Sequence, residues 1–223
     1  MSLPLSDTLS LDRPYSRGEL VADAAVHTAA LVAGAIGFGV LFAKTPWRDR
    51  FGEPVALSIY AAAFFALFSF SFAYNMAPES RLKTLLGRCD RSAIFVMIAG
   101  TYTALLSQIP GNPWIALLLG FVWSGAIGGA GLTLLAPGSL DRVAVAFYLV
   151  LGWSAILVVK PLVVGLPASA LLLVLSGGLL YSVGVPFYLW RSLKFQNVIW
   201  HGFVASAAAC HFVGVLEAAT RLK

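Results

Sequence analysis

Residues 54–77 read Pro-Val-Ala-Leu-Ser-Ile-Tyr-Ala-Ala-Ala-Phe-Phe-Ala-Leu-Phe-Ser-Phe-Ser-Phe-Ala-Tyr-Asn-Met-Ala, 24 residues without a charged side chain. At a rise of about 1.5 Å per residue, a helix of that length crosses the ~30 Å hydrocarbon core of a bilayer. The backbone amides of such a segment have no water to bond in lipid, so the segment must be a helix and not an open strand. Similar runs lie on either side, at 24–43, 92–109, 114–136, 143–159, 167–190 and 198–218. The sequence therefore predicts an all-α membrane protein, a bundle of seven transmembrane helices, with Pro186 kinking the sixth.

Composition agrees. Of the 223 residues 59% are hydrophobic and 11% charged, against about 25% charged in a soluble domain. This excludes a soluble globular enzyme, a disordered chain and a nucleic-acid binder, and it makes membrane lipids the expected partners. The net charge of +5 is carried by basic residues in the breaks between apolar runs, where they act as orientation signals. With the N-terminus in the cytoplasm, nine Lys and Arg fall on the inner side and six on the outer side, which favours N-in and C-out. Residues 1–20 form a polar cytoplasmic segment with no apolar signal core, and residues 21–223 read as one seven-helix domain. Cys89 and Cys210 show no metal or disulfide spacing. Gly125, Gly128, Gly129, Gly131, Gly177 and Gly178 predict close helix contacts, with a substrate groove as the alternative. A second copy of the chain, in a homo-oligomer, is the other partner in view.

Polar side chains inside membrane helices are costly, and each is a candidate for function. Under the N-in assignment His27, Ser71, Asn75, Asp90, Arg91, Asn197 and His201 all fall near the inner face. Ser71 with Asn75, and Asn197 with His201, are four residues apart and share a helix face. Together with Asp90 they predict a polar pocket with one titratable base, His201. Each residue also has a plain alternative: Asp90 and Arg91 as a solvated helix end, His27 and His211 as packing residues, His201 as an interfacial anchor, and Ser71 bonding its own helix backbone. His211 lies ten residues beyond His201, about 15 Å deeper, and cannot share its site.

The strings Ser71 to Asn75, Cys89 to Phe95, IAGTYT from Ile98 and WHGFV from Trp200, with Cys210-His211-Phe212 beyond, resemble the bacterial hemolysin III family. That family is related to the progestin and adipoQ receptors, which include the adiponectin receptors. Glu19 and His27 resemble its opening of helix one, and the match runs from about residue 16 to 216. The resemblance implies seven helices, a cytoplasmic N-terminus and the bacterial inner membrane. It also implies a zinc site with histidines at positions 75, 197 and 201, supported by Ser71 and Asp90. Here positions 75 and 197 are asparagine and position 91 is arginine where the family usually has histidine. Amides are poor zinc ligands, so the site reads as degenerate and no cofactor is expected there. A set of His27, Asp90 and His201 is the remaining way to hold zinc.

Three functions remain in view. The first is a role in membrane homeostasis or permeability, for which the family label is cytolysin. The second is a lipid amide hydrolase, metal-dependent in the related receptors, with His201 oriented by Asp90 and Ser71 as nucleophile or donor. The third is proton or ion translocation, which would need His211 and Glu217 to extend a titratable path.

Overall fold

The computed structural model describes residues 15–47, 52–135 and 141–221. Residues 1–14 and the basic residues Arg13, Arg48, Arg50 and Lys223 lie outside them. The described chain is all helical: α1 (Arg17–Lys44), α2 (Gly52–Met76), α3 (Arg81–Leu106), α4 (Pro113–Leu135), α5 (Asp141–Trp153), α6 (Val159–Gly165), α7 (Ala168–Leu189) and α8 (Gln196–Thr220). A 3₁₀ stretch, Ser154–Val158, joins α5 to α6, so that Val143–Gly165 forms one apolar rod.

Local chemistry sets the ends. Ser16 and Glu19 form a capping box at α1, with Ser16 N–H donating to Glu19 Oε2 at 2.9 Å and Glu19 N–H donating to Ser16 Oγ at 3.3 Å. Ser80 caps α3 by accepting from Lys83 N–H. The break after α5 has a cause in another helix. Tyr102 Oη on α3 accepts from Ala155 N–H and Ser154 Oγ–H and donates to the carbonyl of Gly152, which satisfies groups that the helix leaves open there.

Six helices are long and apolar enough to cross a membrane: α1, α2, α4, the 143–165 rod, α7 and α8. The seventh expected span, 92–109, is the second half of α3. It carries Thr101, Tyr102 and Thr103, and it begins after Asp90 and Arg91. The helix starts eleven residues earlier than the apolar run. Every residue from Ala99 to Leu106 is buried, because α2, α4, α5 and α8 all pack against α3. A helix enclosed by protein has no need of an apolar surface all round.

The other close pairs are α7 with α8, α1 with α2, and α1 with α8. α1 therefore sits between α2 and α8, the placement that brings the polar residues together. Of the glycines read as contact points, Gly125, Gly129, Gly177 and Gly178 do face neighbouring side chains, whereas Gly128 and Gly131 face none among the described residues. α3 comes close to α2 at Gly100, where a Cβ would stand 2.8 Å from Ala63 Cβ and 3.4 Å from Tyr60 Cα. Gly100→Ala must push α2 from α3 and is expected to destabilise the bundle by about 1–3 kcal/mol. A thermal midpoint in detergent equal to that of the parent protein would contradict this close approach.

Candidate functional site

The site begins on α1, where Glu19, Asp23 and His27 succeed one another at four-residue spacing and therefore line one face. Their side chains point into protein: Glu19 and Asp23 are each 2% exposed and His27 is fully buried. Glu19 is structural. Its Oε2 belongs to the capping box, and its Oε1 accepts from Phe195 N–H at 2.7 Å. Phe195 has φ of 59°, a conformation rare outside glycine and asparagine, and it immediately precedes α8. Glu19 thus fixes the first turn of α8 against α1.

With α8 held there, His201 reaches Asp23. His201 Nδ1 lies 2.6 Å from Asp23 Oδ1, the spacing of a charge-assisted hydrogen bond. An ionised carboxylate only accepts, so Nδ1 carries the proton, and Nε2 of the neutral ring is the acceptor. That nitrogen faces Ser71 Oγ on α2 at 3.2 Å and accepts from its O–H when the hydroxyl turns to it from the Asp90 carboxylate, its other partner. Asp23, His201 and Ser71 therefore form a continuous hydrogen-bonded chain from α1 through α8 to α2, with all three residues buried.

His27 sits three turns inside α1 and packs edge-on against His201, ring centroids 4.4 Å apart. Its Nδ1 lies 2.9 Å from the backbone carbonyl of Asp23 and must donate to it. His27 Nε2 and Asp23 Oδ2 are buried with no hydrogen-bond partner among the described residues. Asp23, His27 and His201 offer ligand atoms all within 4.8 Å of one another, a group that could hold a metal ion.

The histidine positions of the resembled zinc site are filled differently. Asn197 Nδ2 donates to Asn75 Oδ1 at 3.0 Å, and Asn75 Nδ2 donates to the carbonyl of Ser71 at 2.9 Å. The two amides close on each other and offer no imidazole, so residues 75, 197 and 201 do not fit zinc. Asp90 on α3 reaches Ser71 and lies within electrostatic range of His201, but the carboxylate bonded to His201 is Asp23. The carboxylate in the expected set of His27, Asp90 and His201 is likewise replaced by Asp23. Arg91 lines the same space, with its carbonyl accepting from Tyr148 O–H.

Ser71, Asn75, Asp90, Asn197 and His201 open onto a cavity of about 750 Å³ that extends along the bundle as far as His211. That volume lies in the range of small-molecule sites, and most of the lining is apolar. His211 stands apart, bonded to the carbonyl of Val174. Glu217, which a titratable path would need, bonds instead with Ser169 and Arg221.

Asp23 lies just outside the first apolar run, which begins at residue 24, and so carries no signal there. The four-residue spacing of Glu19, Asp23 and His27 was the one available sign that Asp23 faces inward.

The sequence profile described as haemolysin-III related matches residues 20–212. Hemolysin-3 of Bacillus cereus is 32% identical over 198 residues, covering 89% of this chain and 90% of that protein. The Hemolysin-3 homolog of Bacillus subtilis (strain 168) is 34% identical over 204 residues, covering 89% and 93%. The human monocyte to macrophage differentiation factor is 30% identical over 205 residues, covering 88% and 83%. With its six apolar membrane-length helices and these matches along most of its length, the chain is an integral membrane protein of the haemolysin-III related family.

Proposed function

We propose that this protein is a membrane-embedded hydrolase that cleaves the ester or amide carbonyl of a lipid lying in the cavity. The observation that carries the reading is the chain Asp23–His201–Ser71 in the cavity wall, with contacts of 2.6 and 3.2 Å. Those are the roles and spacings of an orienting carboxylate, a general base and a nucleophile. Seven spans, with α3 as the third and the N-terminus cytoplasmic, would place Ser71 near the inner face. A lipid headgroup lies at that level.

The steps follow from the tautomer. His201 Nε2 takes the proton of Ser71 as Oγ attacks the carbonyl carbon. Asp23 steadies the imidazolium through Nδ1–H. The carbonyl oxygen gains the negative charge, and the amide hydrogens of Asn75 and Asn197 not used in their own pairing are the nearby donors for it. As the tetrahedral intermediate collapses, His201 returns its proton to the departing alcohol or amine. Water, deprotonated by His201 Nε2, then attacks the acyl carbon; the bond to Ser71 Oγ breaks, and His201 returns the proton to Oγ as the acid departs. The two asparagines thus acquire a purpose in a site that has lost its zinc ligands. Turnover of membrane lipid in this way would serve membrane homeostasis.

A second reading has its own support. The unpartnered Asp23 Oδ2 and His27 Nε2, with His201, make a donor set suited to zinc, and histidines that ligate metals typically donate their other nitrogen to a carbonyl or carboxylate. A metal there would supply Lewis-acid activation of water or carbonyl. One preparation distinguishes the two. A fluorophosphonate probe is expected to label purified, bilayer-reconstituted protein on Ser71, unaffected by chelator, with elemental analysis showing no more metal than in a His27→Ala control. One zinc per chain, lost in that control, with no labelling of Ser71, would replace the serine mechanism by the metal one.

A further inference from the structure

Three turns along α8 from His201, the cavity ends at a second polar cluster that the proposed chemistry does not use. His211 Nε2 lies 3.0 Å from the carbonyl of Val174 and must donate to it, which leaves Nδ1 of the neutral ring as an acceptor. Space for that ring comes from Gly177, where a Cβ would stand 2.3 Å from His211 Cδ2 and 2.9 Å from the carbonyl oxygen of Ala207. The ring of Tyr181 is 5.6 Å from that of His211, centroid to centroid, and both side chains line the cavity. The Tyr181 hydroxyl is buried with no hydrogen-bond partner among the described residues, and so is the hydroxyl of Tyr60, which lies within its electrostatic range. Unmet hydroxyls at this depth carry their full desolvation cost, because hydrocarbon offers them nothing.

We infer that the far end of the cavity is a binding subsite for a hydroxyl group on the distal end of an amphiphile. Tyr181 O–H donates to the ligand oxygen, and the ligand O–H donates to His211 Nδ1, so one hydroxyl satisfies both. A plain alkyl end would satisfy neither. This rests on the hydrolase reading for the other end of the ligand, whose carbonyl sits at Ser71. His201 and His211 are ten residues apart on one helix, so the two ends of the ligand are about 15 Å apart. The substrate class is therefore an acyl chain hydroxylated near its terminus.

Binding of two non-hydrolysable acids tests this, with the full chain in lipid nanodiscs and 12-hydroxydodecanoate compared with dodecanoate. The parent protein is expected to bind the hydroxy acid about tenfold more tightly, the effect of one or two neutral hydrogen bonds. Tyr181→Phe is expected to abolish that preference, read as the ratio of the two affinities within the same variant, and His211→Gln to reduce it. Equal affinities in the parent protein overturn the inference. So does a preference that survives both substitutions, or no binding of either acid. Neither ligand is turned over, so the two proposals fail separately. A hydroxyl preference without Ser71 labelling removes the hydrolase alone, and labelling without the preference removes the subsite alone.

Discussion

Ser71→Ala is expected to abolish the proposed lipid hydrolysis, with kcat falling by about 10⁴-fold or more while the protein remains folded. The expectation comes from the position of one oxygen atom. Ser71 Oγ is the only hydroxyl bonded to His201 among the described residues, and it lies where the cavity reaches the hydrogen-bonded chain. Loss of the hydroxyl leaves His201 with no nucleophile to activate. It removes a single oxygen from a small buried side chain, so the helix packing of α2 has little reason to change. The measurement is turnover of a long-chain ester or amide by reconstituted protein, beside the thermal midpoint of the same preparation. Retention of more than a tenth of the parent kcat would show that Ser71 is not the nucleophile, and the metal reading at Asp23, His27 and His201 would then take its place.

The second large effect belongs to Asp23. Asp23→Asn keeps the shape of the side chain but removes the carboxylate that holds the proton on His201 Nδ1. An amide can present its own N–H to that nitrogen, which turns the proton to Nε2 and leaves no acceptor for Ser71. The same change of tautomer in serine hydrolases costs about 10⁴-fold in kcat, and a loss of about 10³- to 10⁴-fold is expected here with KM little altered. Asp90→Asn is the control. Asp90 reaches Ser71 and lies near His201 but is not its hydrogen-bonded carboxylate, so a smaller loss is expected. Equal losses in the two variants would assign the orienting role to neither. A larger loss in Asp90→Asn would return it to the carboxylate that the spacing of the sequence suggested.

That contrast also shows why the sequence pointed to a different carboxylate from the one hydrogen-bonded to His201. Asp90 opens a long apolar run and stands out, whereas Asp23 sits at the edge of one, next to the polar N-terminal segment. Helix packing decides between them, because α1 inserts between α2 and α8 and brings Asp23 within 2.6 Å of His201. No local signal in residues 17–27 specifies which helices become neighbours. Glu19 illustrates the same point. It reads as an ordinary capping residue for α1, and its capping box is present, yet its other oxygen holds Phe195 in place some 176 positions later in the chain.

Sequence alone determined the class of the protein. Apolar runs of 17 to 24 residues, with Glu217 their one acidic side chain, can be stable only as membrane helices, because backbone amides in hydrocarbon must find their partners within the segment. The motifs around Ser71, Asp90 and His201 carried the family, and Asn75 and Asn197 stand where the resemblance implies histidines. The tertiary structure decided the rest. It enclosed the polar α3 among other helices, brought Asp23 to His201, closed Asn75 on Asn197 and left Tyr181 and His211 at the far end of one cavity. Each of these pairings joins side chains from different helices or distant turns. They depend on which helix faces meet, and hydropathy along a single helix does not encode that.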